Sequence, residues 1–298
     1  MSVFDRFKKL NWECDFTTHP KHSPLVGVFM ESRDIPEIDY VLKNFSCMFP
    51  YASLCIGHSV KNKDRIMRVL GPNPTNVMLF ELPEPFERDE CLALLTSEAH
   101  WRRFEAFDRV LTIHIDTGIR ENTILKFMHY DYIGAHWEHQ PIPGDPRVFQ
   151  GNGGFSLRNP RIMAEICKEK CPIPSCEDVW IGWKFINSFP NSVLPENRAV
   201  CAQFSTEGED FYGTLGFHDT LKYNPKAYKV YAVADGPTRK LFKLDSATLD
   251  GKDVTDLVRL GIGPNCLRIF NTIGKGKLVI NGNLEYDLNS VSKIELYA

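Results

Sequence analysis

The amino-acid sequence predicts an α/β domain over residues 1–225, with a mainly parallel sheet flanked by helices, and a small all-β, sandwich-like domain over residues 226–298. Apolar runs of strand length alternate with segments of helical periodicity between Pro24 and Asp116. Near Tyr223 the pattern changes to short strand-like segments separated by Gly, Asn, Asp and Pro. With 298 residues, 43% of them hydrophobic, the chain has enough apolar material for one large domain and one small one.

The elements of the first domain follow one another in a regular order. Leu25 to Met30 is a continuous apolar run, typical of a strand buried on both faces, and the apolar residues from Ile38 to Phe45 recur at helical spacing. The next predicted elements are a strand at 52–56, a helix at 64–70, a strand at 77–80, a mostly helical segment at 86–107 and a strand at 110–115. This alternation predicts parallel strands that are joined by crossover helices.

The second domain is predicted from turn signals at short intervals. Lys277 to Tyr286 has the pattern of a hairpin that turns on Asn281-Gly282, a dipeptide that tolerates the positive φ angles of a type I′ turn. About seventy residues of this kind indicate a small β-sandwich.

Charge and cysteine content exclude several classes of protein. The formal net charge of -3 argues against a nucleic-acid partner, since nucleic-acid binders usually carry a basic face. The start of the chain lacks the apolar core of a signal peptide, and no apolar run approaches the eighteen residues of a transmembrane segment. The nine cysteines are odd in number and show no disulfide framework. We therefore expect a cytoplasmic location.

Acidic residues follow two of the predicted strands. Glu31 comes after the first strand and Asp116 ends the fourth, so both are expected at the carboxyl edge of the sheet, where ligands of open α/β sheets bind. His114 would point to the same side as Asp116 by the two-residue period of a strand. Asp116 could hold a divalent cation that neutralises a diphosphate. Taken alone, however, Asp116 is equally typical of a turn or a helix cap, and His114 is typical of a core histidine.

Further downstream, a glycine-rich loop is followed by an acidic pair. Three glycines between Gly151 and Gly154 would let the backbone approach a phosphate or a sugar ring, although a lone loop of this kind is more often a simple turn. Glu177 and Asp178 precede an aromatic-rich helix. Acidic side chains at that position interact favourably with the helix dipole, and one of the two could also act as a general base. His218, in a later glycine-containing segment, could add an imidazole ligand.

The order of these elements resembles that of nucleotide-sugar glycosyltransferases of the GT-A fold, a Rossmann-like arrangement. It is most similar to a branch classed as a domain of unknown function with predicted glycosyltransferase activity. The motifs that carry the resemblance lie between residues 24 and 222, and they are the segments 28–33, 95–101, 114–117, 130–137, 151–158, 177–179, 202–207 and 216–218.

The resemblance implies a sugar transfer from a nucleoside-diphosphate sugar to a glycan acceptor hydroxyl, with Mn²⁺ or Mg²⁺ as cofactor. Inversion is the expected stereochemistry, and retention stays open, since retaining enzymes of this fold can carry acids at similar places. It implies Asp178 as base with Glu177 in reserve, and Asp116, His218 and His114 at the metal. The implied nucleotide-sugar-binding residues are Glu31, Arg33, Asp116, Gly153, Gly154 and Ser156. A complete metal motif of this family would have an aspartate where this chain has His114.

Two other classes of function stay open on the sequence. A non-catalytic carbohydrate-binding protein would bind sugar without a nucleotide. A glycoside hydrolase would use Glu177 or Asp178 together with a second carboxylate at a defined separation.

Overall fold

The computed structural model divides the chain into two compact units, Phe4–Lys222 and Tyr223–Ala298 together with Met1–Val3. It describes residues 14, 16–17, 23–137, 147–172, 177–207 and 214–218, and in the C-terminal unit residues 228–232, 247–253, 258–260, 266–270, 277–280, 284–287 and 293–294.

The larger unit is built on a six-stranded sheet. Its strands are β1 Leu25–Met30, β2 Ser53–His58, β3 Val77–Glu81, β4 Arg109–Ile113, β6 Tyr132–Ile133 and β9 Phe155–Arg158. They lie in the order β3-β2-β1-β4-β9-β6. The first four are parallel, whereas β9 runs antiparallel to both β4 and β6. The predicted α/β architecture with a mainly parallel sheet is therefore confirmed.

Short strands form two smaller sheets in the same unit. These strands are β5 Gly118–Ile119, β7 Ala135–His136, β8 Gln150–Gly151, β10 Ser205–Glu207 and β11 Gly216–His218. They pair in the orders β10-β11-β5 and β7-β8.

Helices connect the strands. They are α1 Glu37–Met48, α2 Lys63–Leu70, α3 Arg88–Leu95, α4 Glu98–Arg102, α5 Pro160–Ile166, α6 Glu177–Ser188 and α7 Arg198–Phe204, and a 3₁₀ turn spans Ile124–Phe127. Asn159 caps α5, because its side chain accepts hydrogen bonds from the backbone N–H groups of Arg161 and Ile162. Among the described residues no helix is long and apolar enough to cross a membrane.

The burial of the strands agrees with the apolar patterns that predicted them. Every residue of β1 and β2 is buried, as expected for central strands covered on both faces. The edge strand β3 is exposed along much of its length instead.

One sequence prediction in this unit gains detail and another needs correction. The mostly helical segment 86–107 contains two short helices, because α3 ends at Thr96 and Ser97 caps α4 by accepting a hydrogen bond from the backbone N–H of His100. The fourth strand ends at Ile113, so His114 lies beyond it. The two-residue period of a strand therefore does not set the direction of the His114 side chain, contrary to the sequence prediction. The backbone N–H of His114 instead donates to the Gly154 carbonyl at 2.9 Å.

The topology brings three chain segments to one edge of the sheet. The parallel strands β1 and β4 end there, followed by Glu31 and His114. Since β9 is antiparallel to β4 and pairs Phe155 with Ile113, the glycine loop that precedes β9 reaches the same edge. Three segments that are far apart in sequence thus meet where ligands of such sheets bind.

The C-terminal unit contains eight described strands. They are β12 Tyr228–Ala232, β13 Ala247–Leu249, β14 Lys252–Asp253, β15 Val258–Leu260, β16 Cys266–Phe270, β17 Lys277–Ile280, β18 Leu284–Asp287 and β19 Lys293–Ile294. They pair in the orders β15-β16-β12-β19 and β14-β13-β17-β18. The predicted hairpin is present as the antiparallel pair β17 and β18, although its turn at Asn281-Gly282 lies outside the described residues. The sandwich packing of the two sheets stays a prediction.

Candidate functional site

A tight turn follows β4 and carries two of the predicted site residues. The backbone N–H of His114 lies 3.1 Å from Thr117 Oγ1, and the backbone N–H of Thr117 donates to the His114 carbonyl at 3.2 Å. Thr117 Oγ1 also donates to the Gly154 carbonyl at 3.3 Å. The turn is thereby tied to the glycine loop, and Asp116 projects from it.

His114, Asp116 and His218 form one group at this edge. One ligand atom from each lies within 4.8 Å of those of the other two. His218 Nε2 is 3.3 Å from Asp116 Oδ1, and the two imidazole rings are in edge-to-face contact with centroids 5.5 Å apart. The structure thus brings together the three residues that the family resemblance implies at a metal.

The charges in this group are strongly coupled. Burial raises the pKa of Asp116, but contact with His218 outweighs burial and lowers the pKa to about 2. Burial lowers the pKa of His218, but Asp116 and Glu207 outweigh it and raise the pKa to about 10. Burial and the neighbouring His218 charge lower the pKa of His114 to about 4. At neutral pH the group holds an anion, a cation and a neutral imidazole.

The donor set fits a divalent cation. His114 Nε2 is buried and has no hydrogen-bond partner among the described residues, so no protein group competes with a ligand for this nitrogen. Two imidazole nitrogens and one carboxylate suit Mn²⁺ and the later first-row metals better than Mg²⁺, which prefers oxygen ligands. These three residues could hold a metal ion.

The glycine loop is shaped by Asn152 and by what faces each glycine. Asn152 Oδ1 accepts hydrogen bonds from the backbone N–H groups of Gly154 at 2.7 Å and Phe155 at 3.1 Å. A Cβ atom added at Gly153 would lie 2.3 Å from Glu177 Oε1, and one at Gly154 would lie 2.0 Å from His218 Nε2. Of these adjacent glycines, Gly153 therefore faces Glu177 of the acidic pair and Gly154 faces His218 of the His–Asp–His group.

Replacing Gly154 with Ala is expected to displace the His218 imidazole and to weaken Mn²⁺ binding by about tenfold or more, because the new methyl group would occupy the space of Nε2. Titration with Mn²⁺ followed by electron paramagnetic resonance measures the effect. Gly182→Ala in α6 is the matched control, since its Cβ would make only ordinary contacts from 3.4 Å. Equal Mn²⁺ affinity in the two variants would contradict the packing role of Gly154.

Asp178 lies at the start of α6, beside this loop. It is partly buried, and its Oδ1 accepts a hydrogen bond from the backbone N–H of Val179 at 2.9 Å. Burial raises the pKa of Asp178, and the charges of Glu177 and Glu207 raise it further, to about 7. A carboxyl group with this pKa can exchange a proton near neutral pH, as a general base must.

The neighbouring Glu177 has a different environment. It is buried, and its Oε1 lies 3.8 Å from the guanidinium of the fully buried Arg158. Arg158 also donates to Ser156 Oγ at 2.9 Å and to the Asn152 carbonyl at 3.3 Å. The guanidinium lies over the rings of Trp101 and Tyr132 as well, at 5.5 and 5.6 Å. Glu177 is thus the countercharge of a buried arginine that supports the loop.

The remaining predicted site residues differ in burial and in their contacts. Glu31 and Arg33 form a bidentate ion pair, with Arg33 Nε 2.9 Å and Nη2 2.7 Å from the carboxylate oxygens. The Arg33 side chain is 63% exposed, and the Asp116 charge acts on it, so Arg33 borders the same edge. Ser156 is fully buried and bonded to Thr112 Oγ1 at 2.9 Å, which places it inside the sheet, behind the loop. Its predicted contact with the nucleotide sugar stays a prediction.

Three residues of the site lie in the motif segments but received no individual role from the sequence. They are Asn152, Arg158 and Glu207. Arg158, a cation at the end of the apolar segment Phe155–Leu157, is a signal that could have been noticed, because a charge in a buried strand needs partners. Glu207 lies opposite His218 in the β10–β11 register, a pairing that the sequence does not reveal.

A cleft of about 320 Å³ runs beside the middle and end of α6, away from these groups. Its walls include Val148, Phe185, Phe189 and Leu194. None of the His–Asp–His residues and neither acid of α6 lines it. The chemistry-bearing groups therefore lie outside this cleft.

The candidate site lies within a range of residues that matches a protein-family model. The matching family is described as "Protein of unknown function (DUF5672)". Residues 78–218 match its model. This range runs from β3 to His218 and contains the whole His–Asp–His group, the glycine loop and both acids of α6. Among curated proteins, none matches the sequence.

A solved structure with some similarity is the crystal structure of 4-diphosphocytidyl-2C-methyl-D-erythritol synthase from Anaerococcus prevotii DSM 20548. The two chains share 9% sequence identity with a TM-score of 0.35. The match covers 55% of this chain and 82% of the other.

Proposed function

We propose that this protein is a GT-A-like glycosyltransferase that moves a sugar from a nucleoside-diphosphate sugar to a hydroxyl of a glycan acceptor, with inversion. One observation carries the proposal. In a single loop, Gly153 contacts Glu177 and the adjacent Gly154 contacts His218. Glu177 precedes Asp178, whose pKa is raised to about 7, and His218 belongs to the potential metal group. The sequence motifs that resemble GT-A enzymes support the same conclusion.

Each group has a separate task in this proposal. His114, Asp116 and His218 would hold Mn²⁺, which when bound offsets the negative charge of a diphosphate. Arg33, which is exposed, would contact a phosphate oxygen, while Glu31 holds its guanidinium by two hydrogen bonds. The backbone at Gly153 and Gly154 would line the sugar site, while Glu177 and His218 occupy the space that side chains at these two positions would need.

Asp178 is the proposed base. Its carboxylate accepts the proton of the acceptor hydroxyl as the acceptor oxygen forms a bond to the anomeric carbon of the sugar. The bond between that carbon and the diphosphate oxygen breaks, and its electron pair leaves with the nucleoside diphosphate. Attack opposite the leaving group inverts the anomeric carbon.

The glycoside-hydrolase alternative has weaker support. It needs two carboxyl groups that flank a sugar, and Glu177 is buried against Arg158. A carbohydrate-binding protein without activity would not need a carboxyl group whose pKa is raised to about 7.

Nucleotide binding that depends on Mn²⁺ is the expected result of a thermal-shift panel. The ligands are nucleoside diphosphates and nucleotide sugars, each with Mn²⁺, with Mg²⁺ and with neither. A nucleotide at 100 times its Kd stabilises by about 2.7 kcal/mol, which raises the Tm by roughly 5–10 °C. The shift should be larger with Mn²⁺ than with Mg²⁺ because of the two imidazoles.

Asp116→Asn is the control for the metal in this panel, since it removes the single carboxylate of the group. This variant should lose the Mn²⁺-dependent part of the shift. A flat response of the wild-type protein to every nucleotide would refute the proposed function, and stabilisation by sugars alone would favour the carbohydrate-binding alternative.

A further inference from the structure

The His218 imidazole lies between two carboxylates. Its Nε2 is 3.3 Å from Asp116 Oδ1, and its Nδ1 is 3.4 Å from Glu207 Oε1. Nε2 therefore faces the His–Asp–His group, whereas Nδ1 faces away from it. The contact to Glu207 is an ion-pair contact without the alignment of a hydrogen bond.

The backbone fixes this arrangement. Glu207 and His218 are register partners in the parallel strands β10 and β11, so their side chains emerge next to each other. The other side of the imidazole packs on Gly154, whose missing side chain leaves room for Nε2. His218 is thus held by a strand neighbour on one side and by the glycine loop on the other.

We propose that Glu207 is a positioning residue for the metal group: it holds a proton on Nδ1 of His218 and so directs the lone pair of Nε2 at the cation. The inference rests on the metal site of the proposed function. A carboxylate behind a metal-bound imidazole fixes its tautomer and ring orientation and increases its basicity as a ligand. Glu207 acts through His218 and is not itself a ligand.

Titration of the purified 298-residue chain with Mn²⁺ tests this role without any activity measurement. Glu207→Ala is expected to raise the Kd for Mn²⁺ about 10–100-fold. Glu207→Gln should have a smaller effect, because its amide oxygen can still accept the Nδ1 proton. Glu196→Gln removes one negative charge from the same unit at an exposed position that contacts Tyr130, and it should leave the Kd unchanged.

Nitrogen NMR of histidine-labelled protein loaded with Zn²⁺, a diamagnetic probe, reads the tautomer directly. In the wild-type protein Nδ1 of His218 should carry a proton and Nε2 should be the bound nitrogen. In Glu207→Ala this signature should broaden or reverse. Circular dichroism of each variant confirms that it is folded before binding is compared.

The outcomes separate this inference from the function on which it rests. Mn²⁺ binding by Glu207→Ala within about twofold of Glu196→Gln would overturn the positioning role while leaving the metal site intact. Equal losses in the Ala and Gln variants with an unchanged His218 spectrum would also overturn it, since they would indicate an effect of charge alone. Failure of the wild-type protein to bind either metal would overturn the metal site and this inference together.

Discussion

Asp178→Asn is expected to abolish sugar transfer and to leave nucleotide binding intact. The amide cannot take the proton of the acceptor hydroxyl, and a general base contributes typically a factor of 10²–10⁴ to the rate. Release of nucleoside diphosphate from the donor in the presence of acceptor measures the transfer, and calorimetry measures the Kd of the nucleotide. Residual turnover above about a tenth of the wild-type kcat would remove Asp178 from this role.

The pH dependence gives this prediction a second readout. Because the pKa of Asp178 is raised to about 7, transfer by the wild-type enzyme should increase with pH through a midpoint near 7. The native state keeps a proton that the unfolded chain releases near pH 4, so Asp178 makes stability fall as pH rises from about 4 to 7. Asp178→Asn should therefore unfold at a higher Tm than the wild-type protein at pH 8. A lower Tm at that pH would contradict the burial of this charge.

The parallel strands were predictable from the sequence because their apolar runs are continuous and separated by helical periodicity. Leu25–Met30 is buried along its whole length, as its pattern indicates. The site residues after strands are also predictable in this way, since all parallel strands of a sheet end at one edge. Glu31 and Asp116 meet there for this reason, whereas the glycine loop reaches the same edge because β9, the strand that follows it, is antiparallel to β4.

Side-chain contacts that depend on tertiary packing could not be predicted from the sequence. Glu177 and Asp178 are adjacent acids at a helix start, and nothing in their order reveals that one faces a buried guanidinium while the other does not. The contact of Glu207 with His218 arises from the pairing of two short strands whose register no local pattern specifies. The end of the fourth strand at Ile113 is set by hydrogen bonds of His114 to Thr117 and to the loop.

The pairing of Glu177 with Arg158 leads to the largest expected effect on stability. The Arg158 guanidinium is fully buried, and Glu177 is the buried carboxylate within 3.8 Å of it. Glu177→Gln leaves the guanidinium without its countercharge, and removing one member of a buried ion pair costs about 3–5 kcal/mol. Urea unfolding at pH 5.5 is the suitable measurement, because Asp178 then carries a proton and its repulsion from Glu177 is absent.

A double-mutant cycle separates the pair from other effects of the substitutions. Arg158→Met keeps an unbranched apolar side chain between Trp101 and Tyr132, and by itself it leaves the Glu177 carboxylate buried without a cation. The double variant removes both charges, so it should be more stable than the sum of the single losses predicts. Strictly additive losses would show that the two charges do not interact.

The same Glu177→Gln variant decides which acid is the base. If Glu177 is a structural countercharge, the folded variant should keep transfer within about tenfold of the wild type, whereas Asp178→Asn loses it. Its activity midpoint should also move below pH 7, because the Glu177 charge helps to raise the pKa of Asp178. A Glu177→Gln protein of wild-type stability without transfer would instead make Glu177 the base and Asp178 its neighbour.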